Sequence, residues 1–254
     1  MARWFRMNNA LVSKLKQAFV NHDQRLKVDR VARTLWPPVC LVCGRSSDRS
    51  QDCCSGCHAE LPAVAGHCQR CALILPRTVA LCGGCTSRPP AFDLAHAAFA
   101  YLAPVAGLVQ RFKFGQDLVA GRVLAELMAE QLTGQQACRP DLLIPVPLNW
   151  RRQFRRGFNQ SELLCRDLSR HFGWLPWLDA LQRTRATAAQ SELPAGKRSG
   201  NVRGAFTVRR LPVGVRHVAL IDDVMTTGAT LGECARVLKN AGVRRVDAWV
   251  IARA

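Results

Sequence analysis

The segment from Val218 to Thr230 constrains the fold of this chain more than any other segment. It opens with four apolar residues, continues with Asp222 and Asp223, and passes through a turn rich in threonine. The apolar run is typical of a buried parallel strand, and apolar residues at helical spacing follow from Leu231 onward. A strand that enters a helix through such a turn predicts an α/β domain with the turn at a helix N-terminus.

The turn has the composition of a phosphate site. A helix start leaves N–H groups without intrahelical partners, and Gly228 lets the backbone adopt a positive φ close to an anion. Threonine hydroxyls add further donors. The two preceding carboxylates suit the hydroxyls of a ribose instead, directly or through Mg²⁺. We therefore predict recognition of a ribose 5-phosphate. The predicted phosphate-binding residues are Thr226, Thr227, Gly228, Ala229 and Thr230.

The cysteines mark a second module. Nine of the twelve lie between Cys40 and Cys85, and eight of these form four Cys-x-x-Cys pairs separated by ten residues. Two such pairs complete the four-sulfur shell that Zn²⁺ prefers, so eight thiolates predict two structural zinc sites. The predicted ligands are Cys40, Cys43, Cys54, Cys57, Cys68, Cys71, Cys82 and Cys85. A disulfide framework is the alternative.

The regular spacing leaves the pairing of these knuckles open. Consecutive pairs would form two zinc ribbons, whereas alternate pairs would form a cross-brace, and we expect the consecutive ribbons. Cys53 is left over in both arrangements. No early stretch combines an apolar core with a cleavage site, and the longest apolar run, 97–109, is too short to span a bilayer. We therefore predict a cytoplasmic protein with reduced thiols.

From Phe92 onward, short apolar runs alternate with amphipathic helices, which predicts an open, mostly parallel α/β sheet. Its ligand crevice is expected beyond the carboxyl ends of the strands. Strands are predicted at residues 97–101, 141–147, 218–221 and 246–251. Helices are predicted around residues 104–113, 118–132 and 160–172. The polar segment 183–203 has the length of a lid or a disordered loop.

The charge of the chain points to polyanionic partners. Its 36 Lys and Arg outnumber 18 Asp and Glu, for a net charge of +18, which suits nucleic acid or an anionic membrane surface. Part of this charge lies in a basic extension, residues 1–35, which is either an amphipathic helix or disordered. A second block is predicted to bind nucleic acid through Arg151, Arg152, Arg155 and Arg156.

Residues 218–230 resemble the phosphoribosyl pyrophosphate (PRPP) signature of type I phosphoribosyltransferases. Together with the cysteine module, an Arg-Gly-Phe-Asn-Gln block from Arg156 and an Arg-Thr-x-x-Thr-x-x-Gln block from Arg183, they resemble the ComF/GntX family. The resemblance runs from Trp36 to the C-terminus. It implies a cysteine-rich double zinc ribbon at 36–90 and a phosphoribosyltransferase-like domain at 91–254, with a sheet of the type I phosphoribosyltransferase kind.

The resemblance also implies residue roles. Asp222 and Asp223 would bind the ribose hydroxyls, the threonine turn the 5-phosphate, and Arg183 the pyrophosphate, with Lys113 close to the same group. The turn that ends the strand near residue 145 would share the pyrophosphate, with its prolines holding backbone N–H groups toward the anion. That turn consists of Pro145, Val146 and Pro147.

Two hypotheses about function follow. The first is a phosphoribosyltransferase, a glycosyltransferase in which a nitrogen nucleophile displaces pyrophosphate from PRPP bound with Mg²⁺. The second is a non-catalytic single-stranded-DNA-binding protein whose fold only recognises ribose phosphate. The family resemblance implies a role in natural transformation or the use of incoming DNA, with single-stranded DNA and competence helicase or recombination-loading proteins as partners.

Overall fold

A computed structural model of the protein describes residues 38–149, 154, 157–185 and 202–254. Contacts between residues divide the chain into two compact units, Met1–His58 and Ala59–Ala254. The boundary lies between the second and third cysteine pairs, so each unit contains one half of the cysteine-rich region. The domain limits at 35/36 and 90/91 given in the sequence analysis stay predictions.

The described part of the first unit is a chain of tight turns. The Cys40 N–H donates to the Arg45 carbonyl at 2.7 Å, and the Leu41 N–H donates to the Asp52 carbonyl at 2.9 Å. Helix α1 (Ser55–Ala59) begins where the Ser55 N–H donates to the Asp48 carboxylate at 2.8 Å. Hydrogen bonds from the Ser55 hydroxyl and N–H hold the pKa of Asp48 below its usual value. This carboxylate therefore closes the turns around the first two Cys-x-x-Cys pairs.

The second unit is built on a parallel sheet. Its four strands are β1 (Leu94–Ala100), β2 (Leu142–Pro145), β5 (His217–Met225) and β6 (Arg245–Arg253), in the order β1-β6-β5-β2. A separate antiparallel pair consists of β3 (Leu181–Arg183) and β4 (Phe206–Val208). The central strands β5 and β6 pair from His217 opposite Arg245 to Met225 opposite Arg253. Both are buried along most of their length, as their apolar sequences require.

The second unit also contains five helices in its described residues. They are α2 (Gly83–Ser87), α3 (Val105–Phe114), α4 (Leu118–Gly134), α5 (Gln160–Phe172) and α6 (Ala229–Asn240). One face of the sheet packs against α4 and α5, and the other packs against α6 and the β3–β4 pair. Asp117 caps α4 by accepting the Ala120 N–H at 2.9 Å, and Gly173 ends α5 at φ 66°. Among the helices of the described ranges, none is long and apolar enough to cross a bilayer.

A buried charge cluster ties the amino ends of the central strands together. Asp247 is fully buried and accepts hydrogen bonds from His217 at 2.9 Å and from Arg245 at 2.8 Å. Asp141 accepts the N–H groups of Arg216 and His217 at 2.8 and 2.9 Å. These bonds satisfy the polar groups at one end of the sheet, and the opposite, carboxyl end carries the candidate site.

The α/β prediction is confirmed, and each predicted strand and helix has a counterpart with similar bounds. One expectation needs correction. The strand expected at 218–221 does not stop before the acids, because β5 continues through Asp222 and Asp223 to Met225. The segment 183–203, expected to form a lid or a disordered loop, begins at the last residue of β3, where Arg183 pairs with Phe206. Its middle, residues 186–201, lies outside the described residues.

Candidate functional site

Two adjacent carboxylates lie near the carboxyl end of β5. The strand register places Ile221 opposite Pro145, the last residue of β2. Asp222 is therefore the first residue of β5 beyond the end of its neighbouring strand, and Asp223 follows it. This edge is where open parallel sheets bind ligands, so the acids occupy the position that the sequence predicts for them.

Asp222 is held by hydrogen bonds and has an altered acidity. The Ser161 hydroxyl donates to Asp222 Oδ1 at 2.9 Å, and the Asp223 N–H donates to the same atom at 3.0 Å. Burial, followed by repulsion from Asp223, raises the pKa of Asp222 to about 7, although the Ser161 hydrogen bond and the Lys113 charge act against this rise. Asp222 therefore changes its charge close to neutral pH.

Asp223 pairs with a lysine that sequence reasoning assigned to a different role. Lys113 Nζ lies 2.9 Å from Asp223 Oδ1, and the Val224 N–H donates to the same oxygen at 2.6 Å. The side chains of Lys113 and Asp223 are 19% and 12% exposed. The lysine expected to approach a pyrophosphate therefore contacts the acid pair in this structure, and α3 is the element that brings it there.

The start of α5 positions Ser161, which sequence reasoning missed. Asn159 caps the helix by accepting the Ser161 N–H at 3.2 Å, and its side-chain amide donates to the Val146 carbonyl at 3.1 Å. The Phe158 ring stacks on Phe112 with 5.8 Å between ring centroids. The only sequence signal was an Asn before a helical pattern, which predicts a cap but not the contact between Ser161 and an acid 61 residues away.

The turn at Pro145, Val146 and Pro147 does not have the donor expected of it. Proline has no N–H, and the Val146 N–H donates to the Ile221 carbonyl at 3.0 Å. The Val146 carbonyl accepts the Asn159 amide. This turn therefore ends β2 and anchors α5 beside the acids. Its Val146 N–H already has an acceptor, and pyrophosphate binding at the turn stays a prediction.

The threonine turn (Thr226–Thr230) leads from β5 into α6. Gly228 adopts φ 73° at the N-cap position, and its carbonyl accepts the Gly232 N–H at 2.8 Å. A Cβ atom built at Gly228 would lie 3.5 Å from the Phe92 ring. The turn therefore occupies a helix N-terminus directly after the acid pair, as the sequence predicts, and its conformation requires glycine.

Arg183 is the predicted cation on the α6 side of the site. It is the last residue of β3, and its guanidinium lies 5.2 Å from the centroid of the Phe206 ring. Burial raises the pKa of the Cys234 thiol on α6 well above its usual value, the Asp222 charge raises it further, and the Arg183 charge lowers it. One buried thiol thus lies within electrostatic range of both Asp222 and Arg183.

The eight predicted zinc ligands form two tetrads of consecutive pairs. The sulfur atoms of each tetrad lie within 4.8 Å of one another. The distance between Cys43 and Cys54 sulfurs is 3.8 Å, and that between Cys71 and Cys82 is also 3.8 Å. Tetrahedral zinc with bonds of about 2.3 Å separates its sulfur ligands by about 3.8 Å. Both tetrads therefore fit zinc, and the ribbon pairing is confirmed over the cross-brace.

Each tetrad contains one thiol of lowered pKa. Burial opposes ionisation of Cys40 and Cys68, but neighbouring backbone N–H groups donate to both sulfurs and lower their pKa to about 6 and about 7. Such thiols ionise readily and favour metal binding. Cys53 is buried outside both tetrads, and burial raises its pKa to about 11.

The predicted nucleic-acid residues Arg151, Arg152, Arg155 and Arg156 lie outside the described residues, as does the basic extension 1–35. Within that arginine block, Phe154 is described and is 89% exposed. Phe114, next to Lys113, is 68% exposed. Phe158, which follows this block, stacks on Phe112 of α3, the helix that carries Phe114.

Comparisons with known proteins agree with these features. Residues 31–86 match the model of a double zinc ribbon domain. The chain is 38% identical over 223 residues to the DNA utilization protein YhgH of Shigella flexneri, covering 85% of this chain and 90% of that protein. It is 35% identical over 228 residues to competence protein F of Haemophilus influenzae, covering 85% and 96%.

Among solved structures, a purine phosphoribosyltransferase from Pyrococcus horikoshii matches 52% of this chain and 80% of its own, at 16% identity and a TM-score of 0.32.

Proposed function

Because the chain belongs to the ComF/GntX family of competence and DNA utilization proteins, we propose that it binds PRPP with Mg²⁺ and serves the use of incoming DNA in the cytoplasm. The observation that carries the proposal is the arrangement at the end of β5. Asp222 and Asp223 are fixed by Ser161 and Lys113, and a glycine-dependent turn at a helix N-terminus follows them directly. Few ligands other than a phosphorylated sugar need both groups.

Each part of the ligand has a matching group. The backbone N–H groups and hydroxyls of the threonine turn suit the 5-phosphate, and the acid pair suits the ribose hydroxyls. The pyrophosphate is a stronger partner for Lys113 than Asp223 is, so ligand binding draws the lysine from the acid toward the leaving group. Mg²⁺ bound with the ligand supplies further positive charge at the pyrophosphate, and carboxylate oxygens are suitable ligands for it.

The same groups suit transfer of the phosphoribosyl group. The C1–N bond to a nitrogen nucleophile forms as the C1–O bond breaks, and the electron pair of that bond leaves with the pyrophosphate. Positive charge develops on the ribose, where the Asp222 and Asp223 carboxylates stabilise it. Arg183, from the α6 side, stabilises the negative charge on the pyrophosphate.

Calorimetric titration of the zinc-loaded protein with PRPP and Mg²⁺ tests this proposal. The double variant Asp222→Asn/Asp223→Asn should lose at least about tenfold in affinity, because two charge-assisted contacts are removed. Asp179→Asn is the control, since Asp179 is 64% exposed and pairs with Arg209, which has no role in the proposed site. Absence of binding by the wild type, or equal binding by the double variant, would contradict the proposal.

We infer a second candidate function, binding of single-stranded DNA, from two exposed aromatic rings. Phe154 and Phe114 are 89% and 68% exposed, and both lie on segments rich in Arg and Lys. Stacking of bases on aromatic rings, combined with cations along the backbone, is the common way to bind single strands. In this proposal competence helicase or recombination-loading proteins, and an anionic membrane surface, are further partners of the basic chain.

Fluorescence anisotropy with labelled single-stranded DNA tests the role of these rings. Phe114→Ser and Phe154→Ser should each weaken binding by roughly fivefold or more without changing its salt dependence, because a stacking contact is lost and no charge changes. Leu102→Ser is the control, since Leu102 is 61% exposed but has no aromatic ring. If all three substitutions have the same effect, stacking is not the mode of binding.

A further inference from the structure

Arg253 is a buried cation that joins the second cysteine tetrad to the end of β5. It is the last residue of β6 and is 8% exposed. Its Nε donates to the Cys71 carbonyl at 3.3 Å, and its Nη1 donates to the Met225 carbonyl at 3.1 Å. Cys71 belongs to the second tetrad, and Met225 immediately precedes the threonine turn. One guanidinium therefore contacts both structures.

Because Arg253 is buried, water cannot replace its hydrogen bonds to the two carbonyls. A buried guanidinium requires its donors to be hydrogen bonded, since an unpaired buried charge is strongly unfavourable. The planar fork fixes the directions of both acceptors relative to each other. The Ala254 N–H also donates to the Met225 carbonyl, at 3.0 Å. The position of the last β5 carbonyl is thus set by the end of β6 and, through Arg253, by the Cys71 knuckle.

Apolar contacts also join the second cysteine tetrad to the core beside the threonine turn. Ala72, next to Cys71, is fully buried in the core cluster that contains Phe92, Met225 and Leu231. The Phe92 ring lies 3.5 Å from the Cβ position of Gly228. Along the backbone, the Ala95 N–H donates to the Gln69 carbonyl at 3.3 Å, which joins the knuckle to β1. The second knuckle therefore contacts the core on which the threonine turn rests.

We propose that Arg253 is a positioning residue, through which the metal-bound second tetrad holds the threonine turn in its ligand-binding conformation. Metal occupancy of this tetrad and affinity for a phosphoribosyl ligand are then coupled. The effect on ligand affinity rests on the proposed function, whereas the positioning of the turn by Arg253 does not. Without metal, a zinc knuckle loses its fold, the Cys71 carbonyl loses its fixed position, and the turn is released. By linkage, ligand binding must strengthen metal retention by the same factor.

Hydrogen exchange of the zinc-loaded full chain tests the coupling without any ligand. Cys82→Ser removes a ligand of the second tetrad, and Cys54→Ser, in the first unit, is the matched control. Exchange of residues 225–232 should accelerate about threefold or more in Cys82→Ser and stay unchanged in Cys54→Ser. Helix α4 is the internal reference. Equal rates in both variants, or acceleration in α4 as well, would overturn the proposal.

A second variant separates Arg253 from the metal itself. Arg253→Lys keeps the charge but cannot donate to two diverging carbonyls at once. Native mass spectrometry should find two zinc ions still bound, while residues 225–232 exchange faster, as in Cys82→Ser. If residues 225–232 of Arg253→Lys exchange at the wild-type rate, or if α4 exchanges faster as well, the guanidinium does not position the turn.

Zinc release to a chelator completes the test. In Cys54→Ser, the zinc that remains belongs to the second tetrad, and PRPP with Mg²⁺ should slow its release several-fold. If the wild type does not bind PRPP, the proposed function fails while the exchange result still decides the coupling. If PRPP binds with unchanged affinity in Cys82→Ser and does not slow zinc release, the coupling fails while the proposed function stands.

Discussion

The two aspartates of the candidate site divide the charge between them. Lys113 lies 2.9 Å from Asp223, whereas Asp222 has the raised pKa, of about 7. The single lysine offsets one carboxylate charge, and the second charge is absent while Asp222 holds its proton. In the proposed function, Mg²⁺ brought with the ligand would neutralise the second carboxylate when it ionises.

The raised pKa of Asp222 predicts a pH-dependent stability. The folded protein holds this proton more tightly than the unfolded chain, so the stabilisation is complete below about pH 4 and is lost as the pH rises through about 7. Asp222→Asn removes the ionisation. Relative to wild type, its Tm should rise on going from pH 5 to pH 8 by up to roughly 5–10 °C, since a folded pKa of about 7 corresponds to at most about 2.6 kcal/mol over that range. Thermal melting measures the difference in Tm between variant and wild type at each pH. A difference that does not change with pH would contradict the prediction, and the control Asp179→Asn should give such a constant difference.

The Ser161 hydrogen bond is predicted to hold the Asp222 pKa down. Because it stabilises the ionised form, Ser161→Ala should raise the Asp222 pKa further above about 7. The measurement is an NMR titration of aspartate side-chain carbons in both proteins. Ser169→Ala is the control, since Ser169 lies on the same helix and donates to the Trp174 carbonyl at 2.7 Å. An unchanged or lowered Asp222 pKa in Ser161→Ala would show that the contact does not stabilise the carboxylate.

At the scale of elements, the sequence predicts those parts of the site that are local. The strand β5, the glycine turn and α6 form one continuous segment, and their periodicity and turn chemistry are visible without partners. The β3–β4 pair cannot be predicted from the sequence, because each strand has only three residues and the two are separated by a long polar segment. The contacts of Arg253, with partners 182 and 28 residues away, are equally hidden from spacing.

The turn between β5 and α6 is predicted to depend on Gly228. At φ 73° an L-residue is strained, so Gly228→Ala should lower the free energy of unfolding by about 1–2 kcal/mol. Gly232→Ala, one turn further into α6, is the matched control. A Cβ atom there meets nothing within 4 Å, and alanine favours the helix by about 1 kcal/mol. In urea unfolding, the free energy of unfolding should therefore fall in Gly228→Ala and rise in Gly232→Ala. A change of the same sign in both variants would contradict the backbone strain assigned to Gly228.

At the scale of the whole molecule, the cysteine spacing predicts both metal sites but not the division between the units. The four pairs are evenly spaced, yet the boundary follows His58 and assigns the second tetrad to the unit that contains the sheet. Contacts made by Arg70 explain this assignment, since it donates to the Pro90 carbonyl at 3.0 Å and lies 3.9 Å from Asp93. Such contacts depend on the residues between the ligands, which a cysteine pattern does not describe.

The net charge of +18 raises the question of whether DNA binding depends on total charge or on particular arginines. Arg155→Ala/Arg156→Ala and Arg166→Ala/Arg209→Ala each remove two positive charges. Arg166 and Arg209 already pair with Glu162 at 2.8 Å and Asp179 at 2.7 Å. If the arginine block contacts phosphates, the first double variant should reduce the slope of log K against log salt by about 1.4, and the second should hardly change it. Anisotropy titrations from low to moderate salt measure both slopes. Equal losses in the two variants would mean that DNA responds to the charge of the whole molecule and not to a defined contact.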